Sequence, residues 1–347
     1  VIVRLLRALG ALVAALLGLA FLLALPVLYV ETACRPTAPE TAYDPILPEA
    51  HHRPESRTLL TYPEWHIVHA YEEYAEVLRR GDPHDYGFVP AIAGFWTTLC
   101  ALSKASGVHG PVSGETKMMV YVVGVSFTAE LLAKATYEET LGRAATWWRG
   151  PEAAPLDTLS ARQAREYAVF LRQVPWYRYD FAADAQALAA ASTGSLRDRE
   201  RRVALGLEYR AKALYAEAIA AAVAATGQDD LTLRMVVDEA PAPRDGVTVI
   251  GPNGPGVEIE TPRYRALTGL LAELAAEGIE IVEIAGNDDI MLTVLGGAEI
   301  GSDTLISIPR QGFGDHRHLL RVKVADLSET LRGLDEAGLR LEHIHDY

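Results

Sequence analysis

The stretch Thr61 to Arg80, TYPEWHIVHAYEEYAEVLRR, holds two histidines, four glutamates and two arginines within twenty residues. On a helix His66, His69 and Glu73 share one strip with Glu76 and Arg80. H-x-x-H-x-x-x-E can turn two imidazoles and a carboxylate toward one divalent metal, as the helices of metal-bearing bundles do. A plainer expectation for the same strip is a solvated face, with His69–Glu73 and Glu76–Arg80 as i,i+4 pairs contributing about 0.2–0.5 kcal/mol each. A further carboxylate would come from Glu130 or Glu138, although Glu130 also stands four residues before Lys134.

A second set lies near the C-terminus, where His316 and His318 (DHRH) and His343 and His345 (EHIHDY) are each two apart. Strand geometry turns both members of such a pair to one face, and four imidazoles on neighbouring strands facing alike would suit zinc or copper. The alternative is exposed sheet residues, or groups that titrate between about pH 5 and 7. IPRQGFGDH, Ile308 to His316, offers Arg310 and a permissive backbone, either a nest for a small anion or a hairpin turn. GPNGPG lacks the Lys and Ser or Thr of a phosphate-cradling loop and reads as a turn. QVPWYRYDF, Gln173 to Phe181, concentrates aromatic side chains that suit a membrane interface, a partner surface or packing between helices. G-x-S-x-G, H-E-x-x-H, zinc-spaced cysteine pairs and the dinucleotide fingerprint are all missing from the sequence. The common hydrolase and dehydrogenase chemistries therefore lack their signatures, and no catalytic residue is assigned.

These residues need elements to hold them. Residues 8–30 run for twenty-three positions without a charge, long enough as a helix to cross a hydrocarbon core of about 30 Å. Arg4 and Arg7 precede the run, which predicts a single-pass anchor in a bacterial inner membrane, with a cytoplasmic N-terminus and a periplasmic body. A cleaved signal peptide competes, but a cut after Ala33 would put Glu31 where a small residue belongs, and Glu31 also spoils a lipoprotein signal at Cys34. The only cysteines are Cys34 and Cys100; an oxidising compartment would let them pair, and otherwise Cys100 is a buried thiol and Cys34 an idle one. A net charge of −14 argues against nucleic acid as a partner.

Residues 31–58 read as a linker and 59–227 as an all-α domain. Thr61–Glu64 and Ser160–Gln163 resemble capping boxes, Leu196 to Thr226 reads as one helix capped by Gly227, and Lys117 to Trp148 as a central helix buried by its neighbours. Residues 228–261, rich in Asp, Pro and Gly, read as an interdomain connection with one short strand at 247–250. Residues 262–347 alternate strand and helix patterns and predict an α+β domain of ferredoxin-like architecture.

The phrases TYPEWHIVHAYEEYA, GVSFTAELL and YEETLGRAATWW resemble stretches of a family of uncharacterised, membrane-anchored bacterial proteins. The resemblance implies an anchor and a helical domain, and carries no activity, cofactor or catalytic residue. The function expected is a non-enzymatic envelope protein that binds a protein partner or a small ligand. The alternative is a metal-dependent enzyme or metal-binding sensor that uses the helical strip or the C-terminal histidines.

Overall fold

The apolar run folds as one helix, α1 (Ile2–Ala33), which continues through Pro26. The computed structural model describes residues 2–36, 43–110, 112–172, 174–226, 231–297 and 304–346. Leu17, Phe21 and Leu22 of α1 are open to the surroundings, whereas Val30 and Cys34 at its foot are buried in the next domain. Cys34 is bonded there to Cys100, with Cα atoms 5.1 Å apart.

The helical domain comprises α2 (Glu55–Arg80), α3 (Phe88–Ala105), α4 (Gly114–Tyr137), α5 (Arg143–Arg149), α6 (Pro155–Leu171), α7 (Phe181–Ala191) and α8 (Leu196–Thr226). The central element is α2, which packs on α3, α4 and α6. Its apolar side, with Ala70 and Tyr74, meets Phe95, Trp96, Leu99 and Phe127 in one core. Two boundaries differ from expectation: Thr61 and Ser160 lie inside helices that begin at Glu55 and Pro155, so neither opens a helix, and the spacing of a capping box recurs within a helix interior.

The α4 segment is only partly covered. Val120, Phe127 and Leu131 are buried, but Met118, Met119 and Val122 are exposed, which corrects the expectation of a helix enclosed by neighbours. A π-helical turn at Glu138–Gly142 joins α4 to α5, and the segment Gly114–Arg149, like Phe88–His109, is long and apolar enough to cross a membrane. The aromatic residues of the 173–181 segment pack internally: Phe181 is buried, Tyr179 meets Tyr167, and Trp176 meets Tyr215. Gln173 and the expected cap Gly227 lie outside the described residues.

The C-terminal domain is α+β and begins earlier than the composition suggests. The stretch read as a connection carries three strands, β1 (Thr232–Val237), β2 (Thr248–Asn253) and β3 (Gly256–Pro262). They are followed by α9 (Arg265–Ala276), β4 (Ile281–Ile284), β5 (Asp289–Gly296), β6 (Thr304–Pro309), β7 (His316–Lys323), α10 (Leu327–Gly333) and β8 (Arg340–His345). The strands form two four-stranded antiparallel sheets, ordered β2-β3-β1-β4 and β6-β7-β5-β8. The same unit, three strands, a helix and a strand, thus occurs twice with the same strand order. The ferredoxin-like expectation counted from residue 262 and so omitted the three strands that complete the first unit.

The two units share one core, to which β1, β3 and α9 contribute Met235, Ile259 and Leu271, and β5 and β8 contribute Ile290, Leu292 and Ile344. Period-two alternation sends Ile290, Leu292 and Val294 into that core, so Met291 and Thr293 face the other way. That other face is also buried: Met291 and Leu319 pack against Leu59 and Tyr62 of α2 and Leu102 of α3. The second sheet is therefore covered on both sides, and α2 lies across it.

Candidate functional site

Where α2 crosses the second sheet, the polar strip of α2 is enclosed. His66, His69, Glu73 and Glu76 are all buried, so the strip is neither a solvated face nor, taken whole, a metal comb. His66 points back into the helical core. Its Nε2 lies 3.0 Å from the carbonyl oxygen of Ala91, its ring meets Phe95 and Phe127 edge-on, and burial lowers its pKa to about 4. The expected His69–Glu73 pair is replaced by contacts to the other domain. The Glu76–Arg80 pair is present at 2.7 Å.

Strand parity decides which sheet residues meet α2. Arg317 stands opposite Leu295 in the β5–β7 ladder, and His343 and His345 stand opposite Thr293 and Met291 in the β5–β8 ladder, so all share the α2 face. His316 and His318 pair with Gly296 and Val294 and belong to the other side. The two histidine pairs therefore occupy strands separated by β5 and opposite faces, and the four-imidazole site is not assembled. His318 is engaged locally, 2.8 Å from Ser307 Oγ and 2.8 Å from the Gly297 carbonyl oxygen.

A bulge supplies the residue that patterning cannot find. The β5–β8 register runs Leu292↔Ile344, Thr293↔His343, then Val294↔Leu341, so Glu342 is the extra residue. Bulges re-aim side chains in this way, and the Glu342 carboxylate meets Arg317 through two bonds of 2.5 and 2.8 Å. The remaining Arg317 nitrogen reaches Glu73 of α2 at 3.0 Å. The second Glu73 oxygen accepts the backbone N–H of Gln311 at 3.2 Å. Burial raises the Glu73 carboxyl, and Arg317 opposes the rise.

Arg310 does not line an anion nest. Its guanidinium is held by both oxygens of Asp315 at 3.0 and 2.9 Å, stacks 3.7 Å from the Phe313 ring, and lies 3.8 Å from Glu72. The loop is a clamp on α2: Gly312 has φ of 80°, and a Cβ there would come within 3.1 Å of Glu76 Cγ. Gln311 completes it by bonding the backbone N–H and C=O of Gly87 at 2.7 and 3.1 Å.

His69 lies at the middle, 4% exposed. Its Nδ1 is 3.9 Å from Glu72 and its Nε2 is 3.7 Å from Glu342, neither a hydrogen bond. Neither nitrogen finds a hydrogen-bond partner among the described residues, and the same holds for Glu72 Oε2, His343 Nε2, both His345 nitrogens and the Tyr62 hydroxyl. Trp65 roofs the group, its ring centroid 3.9 Å from that of His343 and 6.1 Å from that of His69. Burial, and next Arg317, lowers the His69 pKa. Burial opposes ionisation of Glu72 and Glu342, yet both are lowered overall, with His69 among the causes, joined by Arg172 at Glu72 and Arg317 at Glu342. These directions conflict, because the carboxylates lean on a positive charge that the imidazole is disposed to lose. Desolvation of a ring with both nitrogens bare disfavours the imidazolium, and the carboxylates keep the guanidiniums of Arg172 and Arg317 as their partners.

One ring nitrogen of His69 and one oxygen each of Glu72 and Glu342 lie within 4.8 Å of one another. A second group of this kind, Asp82, His84 and Asp85, is at the surface, and Asp82 is already bonded to Arg149. Of the expected metal ligands, the centre retains only His69 with His343 and His345 close by; Glu72, Glu342 and Arg317 were not legible as members. No protein-family model, curated protein or solved structure matches the chain.

Proposed function

We propose that this chain is a non-enzymatic envelope protein, anchored in a bacterial inner membrane by α1 with its N-terminus cytoplasmic and its body periplasmic. Its two docked domains act as one unit that binds a protein partner or a small ligand. The uncharged run at 8–30 and the preceding Arg4 and Arg7 support the anchor and its direction. The observation that carries the reading is the Cys34–Cys100 bond, because such bonds persist in oxidising compartments and this one joins the foot of α1 to the core of the helical domain. A body fixed at the membrane surface suits assembly better than free diffusion. In support of a binding role, the buried ionic centre is closed by Trp65.

An alkaline phosphatase fusion at the C-terminus, combined with a carbonate wash of membranes, tests the proposal. An active reporter on a wash-resistant chain is expected. A dark reporter, or an intact chain released by the wash, would overturn it.

A further inference from the structure

We infer that His69, Glu72 and Glu342 form a binding site for one divalent transition-metal ion of the zinc class, set between the helical domain and the second sheet. The three candidate ligand atoms lie within 4.8 Å of one another and come from both domains. Zinc bonded at about 2.0–2.2 Å separates its ligands by about 3.3–3.5 Å, so side-chain shifts of up to about 1.5 Å bring both carboxylates to one ring nitrogen of His69. His69 is the independent sign that something belongs there. It is buried with both nitrogens bare, and Glu72 Oε2, the atom nearest its Nδ1, is bare as well among the described residues. Leaving such groups unsatisfied costs about 1–3 kcal/mol apiece, and native proteins rarely gather several without an occupant.

Four carboxylates, Glu72, Glu73, Asp315 and Glu342, gather around the site and are held in place by Arg172, Arg310 and Arg317. One imidazole with two carboxylates suits zinc, iron(II) or manganese(II) and does not suit copper(I), which prefers sulfur. The guanidiniums supply the outer layer that fixes metal-binding carboxylates: Arg317 holds Glu342 through two bonds, and Arg172 and Arg310 hold the other oxygen of Glu72. The ion would bridge α2 and β8 and tie the domains together from within.

The test is zinc binding by the full chain in mild detergent, after chelator treatment and dialysis, read by metal analysis and by competition with a chromophoric chelator. One zinc per chain is expected. His69→Gln and Glu72→Gln should each weaken binding at least about 100-fold, more than loss of an outer-layer contact does. X-ray absorption at the zinc edge of the unmodified chain gives a readout independent of the variants' folding, and should show one imidazole with oxygen donors. Absence of stoichiometric zinc at saturation overturns the proposal, as does a spectrum with two or more imidazoles. A doubly protonated His69 at neutral pH in the zinc-exposed chain also overturns it, since the cation would then be a proton.

Discussion

Arg317 of β7 and Glu73 of α2 are bonded at 3.0 Å across the junction of the two domains, both buried. Arg317 also holds Glu342, so one guanidinium neutralises carboxylates from both sides of the junction. Breaking a buried pair by removing one partner typically costs about 3–5 kcal/mol, because the other charge stays behind. Arg317→Leu strands two carboxylates and should lie in that range in urea unfolding. Glu73→Gln keeps the shape and leaves Arg317 with Glu342, so it should cost clearly less. Equal losses for the two variants would show that the guanidinium is not the shared counter-charge.

His66 makes stability depend on pH in a stated direction. Its folded pKa is about 4 against an ordinary value of 6.5, because burial disfavours the imidazolium. Between those values the unfolded chain binds the proton and the folded chain does not, so stability falls as pH drops from 6.5 to 4 and is flat outside that window. The gap corresponds to roughly 3 kcal/mol. His66→Gln, which cannot titrate, should lose that much less than the unmodified chain between pH 7 and pH 4.5. Parallel profiles for the two proteins would place the imidazole in a more solvated setting than the one beside Ala91.

The disulfide closes a loop with a sequence separation of 66. Confining the unfolded chain over such a loop is worth about 4 kcal/mol in the chain-entropy picture. Reduction should therefore lower the urea midpoint of the detergent-solubilised chain markedly. The Cys34→Ser variant should begin at the lower value and ignore the reductant. A midpoint unmoved by reduction would mean that α1 and α3 hold each other without the bond.

How much of this was legible in the sequence depends on what each pattern can report. Helical periodicity found α8 because its alanine-rich run ends at a clear break in the sequence. It placed His66, His69 and Glu73 on one strip and could not tell water from a docked domain as the neighbour of that strip. The strip is polar because it meets Arg317 and Gln311, residues more than two hundred positions away. The short strand expected at 247–250 is β2, whereas β1 and β3 were hidden among the Pro and Gly residues around them. Glu342 was beyond reach because a strand pattern assigns faces by parity, and the bulge at that residue breaks parity. Two histidine pairs looked equivalent in sequence, but β5 separates them in space.

Lys212 offers the sharpest electrostatic test away from the junction. Its ammonium lies 2.8 Å from Glu130 and 3.1 Å from Glu208, with the rings of Tyr71, Tyr167 and Phe181 around it. Lys134 is the other cation, 3.0 Å from Glu208 and 3.8 Å from Glu130. Burial opposes ionisation of Glu208, but the two lysines prevail and hold it at about 2. In the unmodified chain this carboxylate contributes stability above its unfolded value near 4.5, which fades as pH falls through 2. Lys212→Met leaves two buried carboxylates with one lysine, so one of them is driven toward protonation and the sign reverses. The variant should lose about 3–5 kcal/mol at pH 8. The loss should shrink at pH 5.5, where the stranded carboxyl takes up a proton on folding. A loss that is the same at both values would mean that Lys134 alone neutralises the pair, and the four charges would then be independent rather than one network.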